Sequence, residues 1–155
     1  DGSALTGNVG KFLNVYYQNI RNNTNVHTGS TAFVNTGLSI TLTPVSASSR
    51  FIIMYTSSPH QNTTTNWGQH AVYRDSSRLN ISGGVRRDSP NHWTTFTQTT
   101  TGVDSPNTTS AITYTVKMNT GSTTGAQWYF HVGSHLSGGD ADGAHMAFTI
   151  MEIAS

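Results

Sequence analysis

The 155-residue chain contains no cysteine, and only 10% of its residues are charged. The absence of cysteine excludes a disulfide framework and a thiolate metal site. Eight basic and seven acidic residues leave a net charge of +1, so no long-range field favours nucleic acid or an anionic membrane. No apolar run approaches the about 20 residues of a membrane-spanning helix. We therefore expect neither nucleic-acid binding nor membrane insertion.

No segment shows helical periodicity. Instead, several segments alternate strictly between apolar and polar residues. Ile112, Tyr114, Val116 and Met118 face one way, and the residues between them are Thr113, Thr115 and Lys117. Residues 38–43 repeat this pattern, which is typical of a half-buried antiparallel strand. Residues 68–81 predict a hairpin, and the glycine pair Gly83 and Gly84 predicts a loop over residues 83–91. The chain is predicted to be all-β.

Two segments carry apolar residues on both faces, residues 50–56 and residues 146–153, as expected of strands buried on both sides. Roughly eight to ten short strands separated by turn signals predict a β-sandwich or barrel, most commonly a jelly roll. The two-faced strands need an additional covering surface, which a symmetry-related subunit would supply. The sequence therefore favours a jelly-roll-like antiparallel sandwich within an oligomer.

The chain divides into a turn-rich leader, residues 1–9, and one domain, residues 10–155. A domain of this size can bury about 70% of the surface that its unfolded chain exposes. The sequence starts at Asp1 without a methionine, so we expect a fragment or the mature end of a longer protein.

Catalytic chemistry has little support in the residues. A glycan hydrolase needs two carboxylates flanking the sugar bond, and most of the seven acids stand in turn contexts. Glu152 lies inside the apolar closing segment, where the expected role is a structural pair with Arg50 or Lys11, or an exposed strand end. No Gly-x-Ser-x-Gly nucleophile motif occurs. We expect no enzymatic activity and no cofactor.

A metal site is the alternative interpretation of the histidines near the C-terminus. His131 and His135 precede a glycine-rich loop containing Asp140, Asp142 and His145. In an extended strand, residues four apart share a face but stand about 13 Å apart, too far for one ion unless the backbone bends. Scattered surface histidines without a metal are the favoured interpretation.

Aromatic and amide side chains near predicted loops indicate carbohydrate binding. An indole offers a flat apolar platform to a sugar ring, and neutral polar groups bond its hydroxyls without the cost of desolvating a charge. Trp67 is the best surface candidate, whereas Trp93 and Trp128 also fit a core position. We predict that residues 57–70, with residues 86–93 as a second contributor, form an outward tip. The candidate binding residues are His60, Trp67, His70, Arg87, His92 and Trp93.

An ordered set of short segments covers most of the chain. They are residues 10–15 (Gly-Lys-Phe-Leu-Asn-Val), 36–44 (Thr-Gly-Leu-Ser-Ile-Thr-Leu-Thr-Pro), 48–54 (Ser-Ser-Arg-Phe-Ile-Ile-Met), 73–79 (Tyr-Arg-Asp-Ser-Ser-Arg-Leu), 104–114 (Asp-Ser-Pro-Asn-Thr-Thr-Ser-Ala-Ile-Thr-Tyr) and 150–154 (Ile-Met-Glu-Ile-Ala). In order and spacing they resemble the C-terminal domain of tailed-phage tail fibre and virion-surface proteins. Residues 2–7, Gly-Ser-Ala-Leu-Thr-Gly, resemble the joint that precedes such domains.

The resemblance implies a homotrimeric β-sandwich head on the surface of a phage virion. It implies attachment to other virion proteins through the N-terminal side and contact with a bacterial surface glycan or receptor. It supplies no catalytic residue, and the segments bearing Trp67, Trp93 and the histidines are not part of the shared pattern. The alternative function is a capsid decoration or head-fibre protein. A polysaccharide depolymerase is disfavoured by the shortage of carboxylates.

Overall fold

The computed structural model describes residues 11–20, 26–57, 60–61, 66–87, 97–121, 128–131 and 146–154, and in these ranges the chain forms β-strands and no helix. The strands are β1 (Phe12–Ile20), β2 (Val26–Thr28), β3 (Val34–Leu42), β4 (Arg50–Ser57), β5 (His60–Gln61), β6 (Asn66–Arg74), β7 (Ser77–Arg87), β8 (Gln98–Asp104), β9 (Ile112–Thr120), β10 (Trp128–His131) and β11 (Met146–Ile153). None of these ranges holds a helix of the length and apolarity that a membrane crossing requires. The prediction of an all-β fold is confirmed.

Eight strands form two four-stranded antiparallel sheets. Sheet A has the order β1-β11-β4-β8, and sheet B has the order β3-β9-β6-β7. The hydrophobic core contains residues of both sheets, including Phe51 and Phe148 of sheet A and Leu38 and Val116 of sheet B. The two sheets therefore pack face to face in a sandwich-like arrangement, as two half-apolar sheets must to bury their apolar faces.

Strands β4 and β11 occupy the centre of sheet A, as expected of segments with apolar residues on both faces. Ile53 pairs with Ile150, and both side chains are fully buried against sheet B. The opposite face of these strands, which carries Ile52 and Met54, is half-buried in the single chain.

The predicted hairpin over residues 68–81 is confirmed as β6 and β7, joined by a two-residue turn. Asp75 in that turn adopts a positive φ of 52°, which Asp tolerates well, and its Oδ1 accepts a hydrogen bond of 2.9 Å from the Thr113 amide. The loop predicted over residues 83–91 is wrong for residues 83–87, because β7 runs on to Arg87, and residues 88–91 lie outside the described residues. A Cβ at Gly83 would lie 2.3 Å from Nε2 of His70, so the glycine leaves room for a neighbouring imidazole and does not mark a turn.

Strand β3 begins four residues before the strand predicted at residues 38–43. It is one strand with a bulge opposite β9 between Asn35 and Ser39. Gly37 in the bulge has a φ of 93°, a conformation that favours glycine, and the Thr36 hydroxyl donates to the Val116 carbonyl at 2.8 Å. The bulge keeps Leu38, Ile40 and Leu42 directed into the core.

Candidate functional site

The strand order divides the sandwich into two ends. One end, here called the far end, is marked by contacts between the sheets, where Arg74 of β6 bonds Asp104 of β8 and the Phe51 ring lies 5.9 Å from the Tyr114 ring. The opposite end, here called the loop end, holds the C-terminal ends of β1, β4, β7 and β9 and the N-terminal ends of β3, β6, β8 and β11, as the register of both sheets requires. The β4–β6 connection, which contains His60, and the β7–β8 connection, which contains His92 and Trp93, therefore begin and end at the loop end.

A third, smaller sheet, here called the cap sheet, lies in the connections at the loop end. Its order is β2-β10-β5, and its strands come from the connections between β1 and β3, β4 and β6, and β9 and β11. The register places His60 of β5 and His27 of β2 on either side of Tyr129 of β10. Three segments far apart in the sequence are thereby joined into one small sheet that contains the predicted residue His60.

Trp67 lies near the start of β6 at the loop end, and 39% of its surface is exposed. Its carbonyl accepts a hydrogen bond of 2.7 Å from the amide of Gly121, just beyond β9. Its indole packs against Gly121 so closely that a Cβ there would lie 2.0 Å from Cε2. The glycine thus makes room for the indole beside the backbone, and the ring is positioned while much of it stays accessible.

Arg87, the last residue of β7, also lies at the loop end. The register pairs it with Asn66, and its neighbour Arg86 with Trp67. The backbone therefore brings the first two residues of the second predicted segment next to Asn66 and Trp67. His92 and Trp93, which complete the predicted set, lie outside the described residues.

His70 is in the interior, which corrects its predicted role on the binding surface. Its side chain is fully buried, with the ring edge-on to Tyr55 at 4.7 Å and Nε2 at 3.3 Å from the Thr100 hydroxyl. Burial lowers the pKa of His70 to about 3, so the imidazole is neutral. A buried neutral ring cannot contact a ligand in solvent, and we assign His70 to the support beneath the loop end.

Glu152 is buried at the far end in a site made of neutral donors, not paired with Arg50 or Lys11 as expected. Its Oε1 accepts the Val45 amide at 2.7 Å, and its Oε2 accepts the Asn14 side-chain amide at 2.9 Å. Burial alone would raise its pKa, but hydrogen bonds from Asn14, Ser49 and the Val45 backbone outweigh that effect and hold the pKa below its usual value. The carboxylate joins β11, β1 and the β3–β4 connection.

Asp104, like Glu152, is a carboxylate at the far end that accepts several hydrogen bonds. Its two oxygens accept hydrogen bonds from Nη1 of Arg74 at 2.9 and 2.8 Å, and Oδ2 also accepts the Tyr114 hydroxyl at 2.7 Å. Burial and the nearby Asp104 raise the pKa of Tyr114, so the phenol remains a donor. This cluster joins β8 of sheet A to β6 and β9 of sheet B.

The alternative metal site can be compared with the structure only in part. Within the ranges described above, no three side chains of His, Asp or Glu come together as a metal-binding group. His135, Asp140, Asp142 and His145 lie outside those ranges.

Two glycines near the predicted residues were not identified from the sequence. Gly83 makes room for His70, and Gly121 makes room for Trp67. A glycine in a strand pattern signals a close approach by another group, but the sequence does not say which group approaches. Only the register, which brings β7 and β9 beside β6, assigns each glycine to its aromatic partner.

Comparison of the sequence with known protein families and with curated proteins finds no match.

Proposed function

We propose that this chain is the distal domain of a phage tail fibre, which attaches the virion to a glycan on the bacterial surface without cleaving it. The observation that carries the proposal is that the start of β1 and the end of β11 lie at one end of the sandwich and the predicted binding positions at the other. β1 begins and β11 ends at the far end, where the Ala154 amide donates to the Lys11 carbonyl at 2.9 Å. The predicted binding positions His60, Trp67 and Arg87 belong to the loop end. A fibre that enters at the far end would display the loop end outward.

The strand order supports a jelly roll as the finer description of the fold. Lettering the eight strands of the two large sheets B to I in chain order gives B-I-D-G for sheet A and C-H-E-F for sheet B. This is the order of a jelly roll built from two Greek keys. In such a fold the connections converge at the two ends, and four of them lie at the loop end, which suits an end-on binding surface with variable loops.

The chemistry around Trp67 supports a sugar as the ligand. An indole supported by Gly121 and partly exposed can stack on the apolar face of a pyranose, with neighbouring neutral groups as hydrogen-bond partners. Arg86 and Arg87, paired with Trp67 and Asn66, would add positive charge for the acidic sugars that many bacterial surfaces carry.

Assembly would strengthen a weak contact of this kind. We infer a homotrimer, joined to other virion proteins through the N-terminal side and located on the virion surface. Three linked sites raise the apparent affinity through effective concentration, without any new contact at each site. Modest affinity at each loop end would then be enough for attachment.

The test uses the purified full chain, labelled with a fluorophore, against immobilised lipopolysaccharides and capsular polysaccharides from many bacteria. We expect saturable binding to at least one polysaccharide and no release of reducing ends. Absence of binding to every polysaccharide and to whole bacteria would refute the attachment role, and released reducing ends would show a depolymerase. Immunogold labelling of virions would separate a fibre tip from a capsid decoration.

A further inference from the structure

Basic residues are distributed unevenly between the two large sheets. The four strands of sheet B contain five of the eight basic residues of the chain and none of its seven acidic residues. The five are Arg74, Arg78, Arg86, Arg87 and Lys117. Sheet A contains one basic residue, Arg50, and two acids, Asp104 and Glu152. The whole chain is therefore nearly neutral, but sheet B is positively charged.

Two of these cations lie on the outer face of sheet B, which points away from sheet A. The Arg78 guanidinium lies 4.7 Å from the centre of the Phe33 ring, and the Lys117 ammonium lies 4.4 Å from the centre of the Tyr73 ring. The two rings are 5.8 Å apart. Val116, next to Lys117, belongs to the core, so Lys117 points outward. Arg78, Lys117, Phe33 and Tyr73 are called the cationic cluster below.

Neither cation of the cluster has a carboxylate partner in the part of the chain that the structure describes, where Arg74 and Asp104 form the one ion pair. Asp75, the nearest acid to Arg78 in the sequence, accepts the Thr113 amide instead. Two like charges in one cluster repel each other, and an anion between them would remove this cost. The rings hold both cations in place, so less side-chain entropy is lost when the anion binds. The cluster is therefore preorganised for a carboxylate or a similar anion.

The rest of this outer face consists mainly of neutral polar groups. Hydroxyl groups pair across β3 and β9, Ser39 with Thr115 at 3.1 Å and Thr41 with Thr113 at 2.9 Å. On β7 the hydroxyl-bearing residue Ser82 is exposed. Neutral groups of this kind hydrogen-bond sugar hydroxyls without the cost of desolvating a charge. The composition of the face therefore suits a carbohydrate.

Trp67 lies on the same face as the cationic cluster, nearer the loop end. Trp67 and Tyr73 are six positions apart on β6, so their side chains point to the same side and their Cα atoms lie about 20 Å apart. The indole presents an apolar platform, and the cluster presents positive charge. A ligand that contacts both has to be an extended chain.

We propose that an acidic polysaccharide binds along the outer face of sheet B, from Trp67 at the loop end to the cationic cluster. An apolar sugar face stacks on the indole, and a sugar carboxylate accepts hydrogen bonds from Arg78 and Lys117. Duplex DNA, with one charge per about 1.7 Å, needs many more cations than this face holds. The role of Trp67 rests on the proposed function, and the cationic cluster adds the charge of the ligand and its direction across the sheet.

The experiment uses polygalacturonate, which carries a carboxylate on every sugar, and its full methyl ester as the uncharged comparison. Fluorescence anisotropy of labelled oligomers of the acid, measured with the full chain at low salt, should show saturable binding that weakens as salt is added. The ester should bind about tenfold more weakly, because only the charge is lost. Absence of binding to the acid at low salt would overturn the proposal. Equally tight binding of a DNA duplex would also overturn it, since charge alone would then account for the attraction.

A matched pair of double variants tests which face binds. Arg78→Gln with Lys117→Gln should raise the Kd for polygalacturonate by about tenfold. Arg50→Gln with Lys11→Gln removes the same two types of charge from exposed positions outside sheet B, and should leave the Kd nearly unchanged. Both double variants should keep the Tm and the far-UV circular dichroism spectrum of the unmodified chain. Equal changes of Kd in the two double variants would refute binding at the cationic cluster.

These measurements separate the site from the attachment role. A bacterial polysaccharide that binds the Arg78→Gln, Lys117→Gln variant as well as the unmodified chain would refute the site and leave the attachment role standing. Binding of polygalacturonate at the cluster, without binding to any bacterial polysaccharide or to whole bacteria, would refute the attachment role and leave the site standing.

Discussion

At the scale of single residues, His70 shows how a residue type associated with binding can serve the fold. A histidine beside an exposed tryptophan predicts a ligand contact, but only one side of β6 faces solvent. Trp67 and His70 are three positions apart and so point to opposite faces of the strand. Tyr55, Thr100 and Gly83 surround the imidazole, which is fully buried. The burial of His70 therefore follows from the alternation of side chains along the strand, which directs His70 to the face opposite that of Trp67.

The buried imidazole makes stability depend on pH. The folded state keeps His70 neutral because its pKa falls to about 3, whereas the unfolded chain takes up a proton below the usual value of 6.5. Unfolding is therefore favoured as pH falls from 6.5 towards 3, by about 1.4 kcal/mol per pH unit for this group. Above pH 6.5 the effect is absent.

Denaturant unfolding of the unmodified chain and of His70→Leu, followed from about pH 7 to about pH 5, checks this dependence. The unmodified chain should lose stability over this range, and the variant should lose about 1.4 kcal/mol per pH unit less. Glu152, whose pKa is lowered from 4.5, begins to contribute only at more acid pH. Equal pH slopes for the two proteins would show that His70 is not responsible.

At the scale of elements, the strands with strong alternation were predictable, and the short strands of the cap sheet were not. β11 has the bounds expected from its two apolar faces, and β4 extends only to Ser57, one residue further. β2 and β5 lie in polar segments and exist because β10 pairs with both. Such pairing depends on how the connections meet at one end, which local sequence does not specify.

The hydrogen bonds of Asp104 with Arg74 and Tyr114, which join the two sheets at the far end, give a prediction for these elements. Asp104→Asn keeps the size of the side chain but removes the charge that Arg74 and Tyr114 bond. We expect a loss of about 1 to 3 kcal/mol in the free energy of unfolding, because a partly buried guanidinium loses its carboxylate. Asp75→Asn is the matched control, since asparagine also tolerates positive φ and can still accept the Thr113 amide.

Chemical denaturation of the two variants decides the comparison. A loss for Asp104→Asn no larger than that for Asp75→Asn would mean that the cluster does not hold β8 to sheet B. The same result would leave the core between the sheets as the main source of their association.

At the scale of the whole molecule, the sequence predicted the candidate residues but not their common location. His60, Trp67 and Arg87 are spread over three strands, and alternation gives no information on which strand ends adjoin. The order of the large sheets places Trp67 and Arg87 at the end opposite Lys11 and Ala154, and His60 lies in the connection that joins β4 to β6 at that same end.

The central claim is that the loop end contacts the bacterial glycan, and binding by Trp67→Ala tests it most directly. Removing a partly exposed aromatic platform should cost about 1 to 3 kcal/mol per site, or about 5- to 150-fold in Kd. Val45→Ala is the control, because Val45 is 62% exposed but lies at the far end. We predict weakened polysaccharide binding with little change in Tm for Trp67→Ala, and normal binding for Val45→Ala. Unchanged binding by Trp67→Ala together with a markedly lower Tm would contradict the claim.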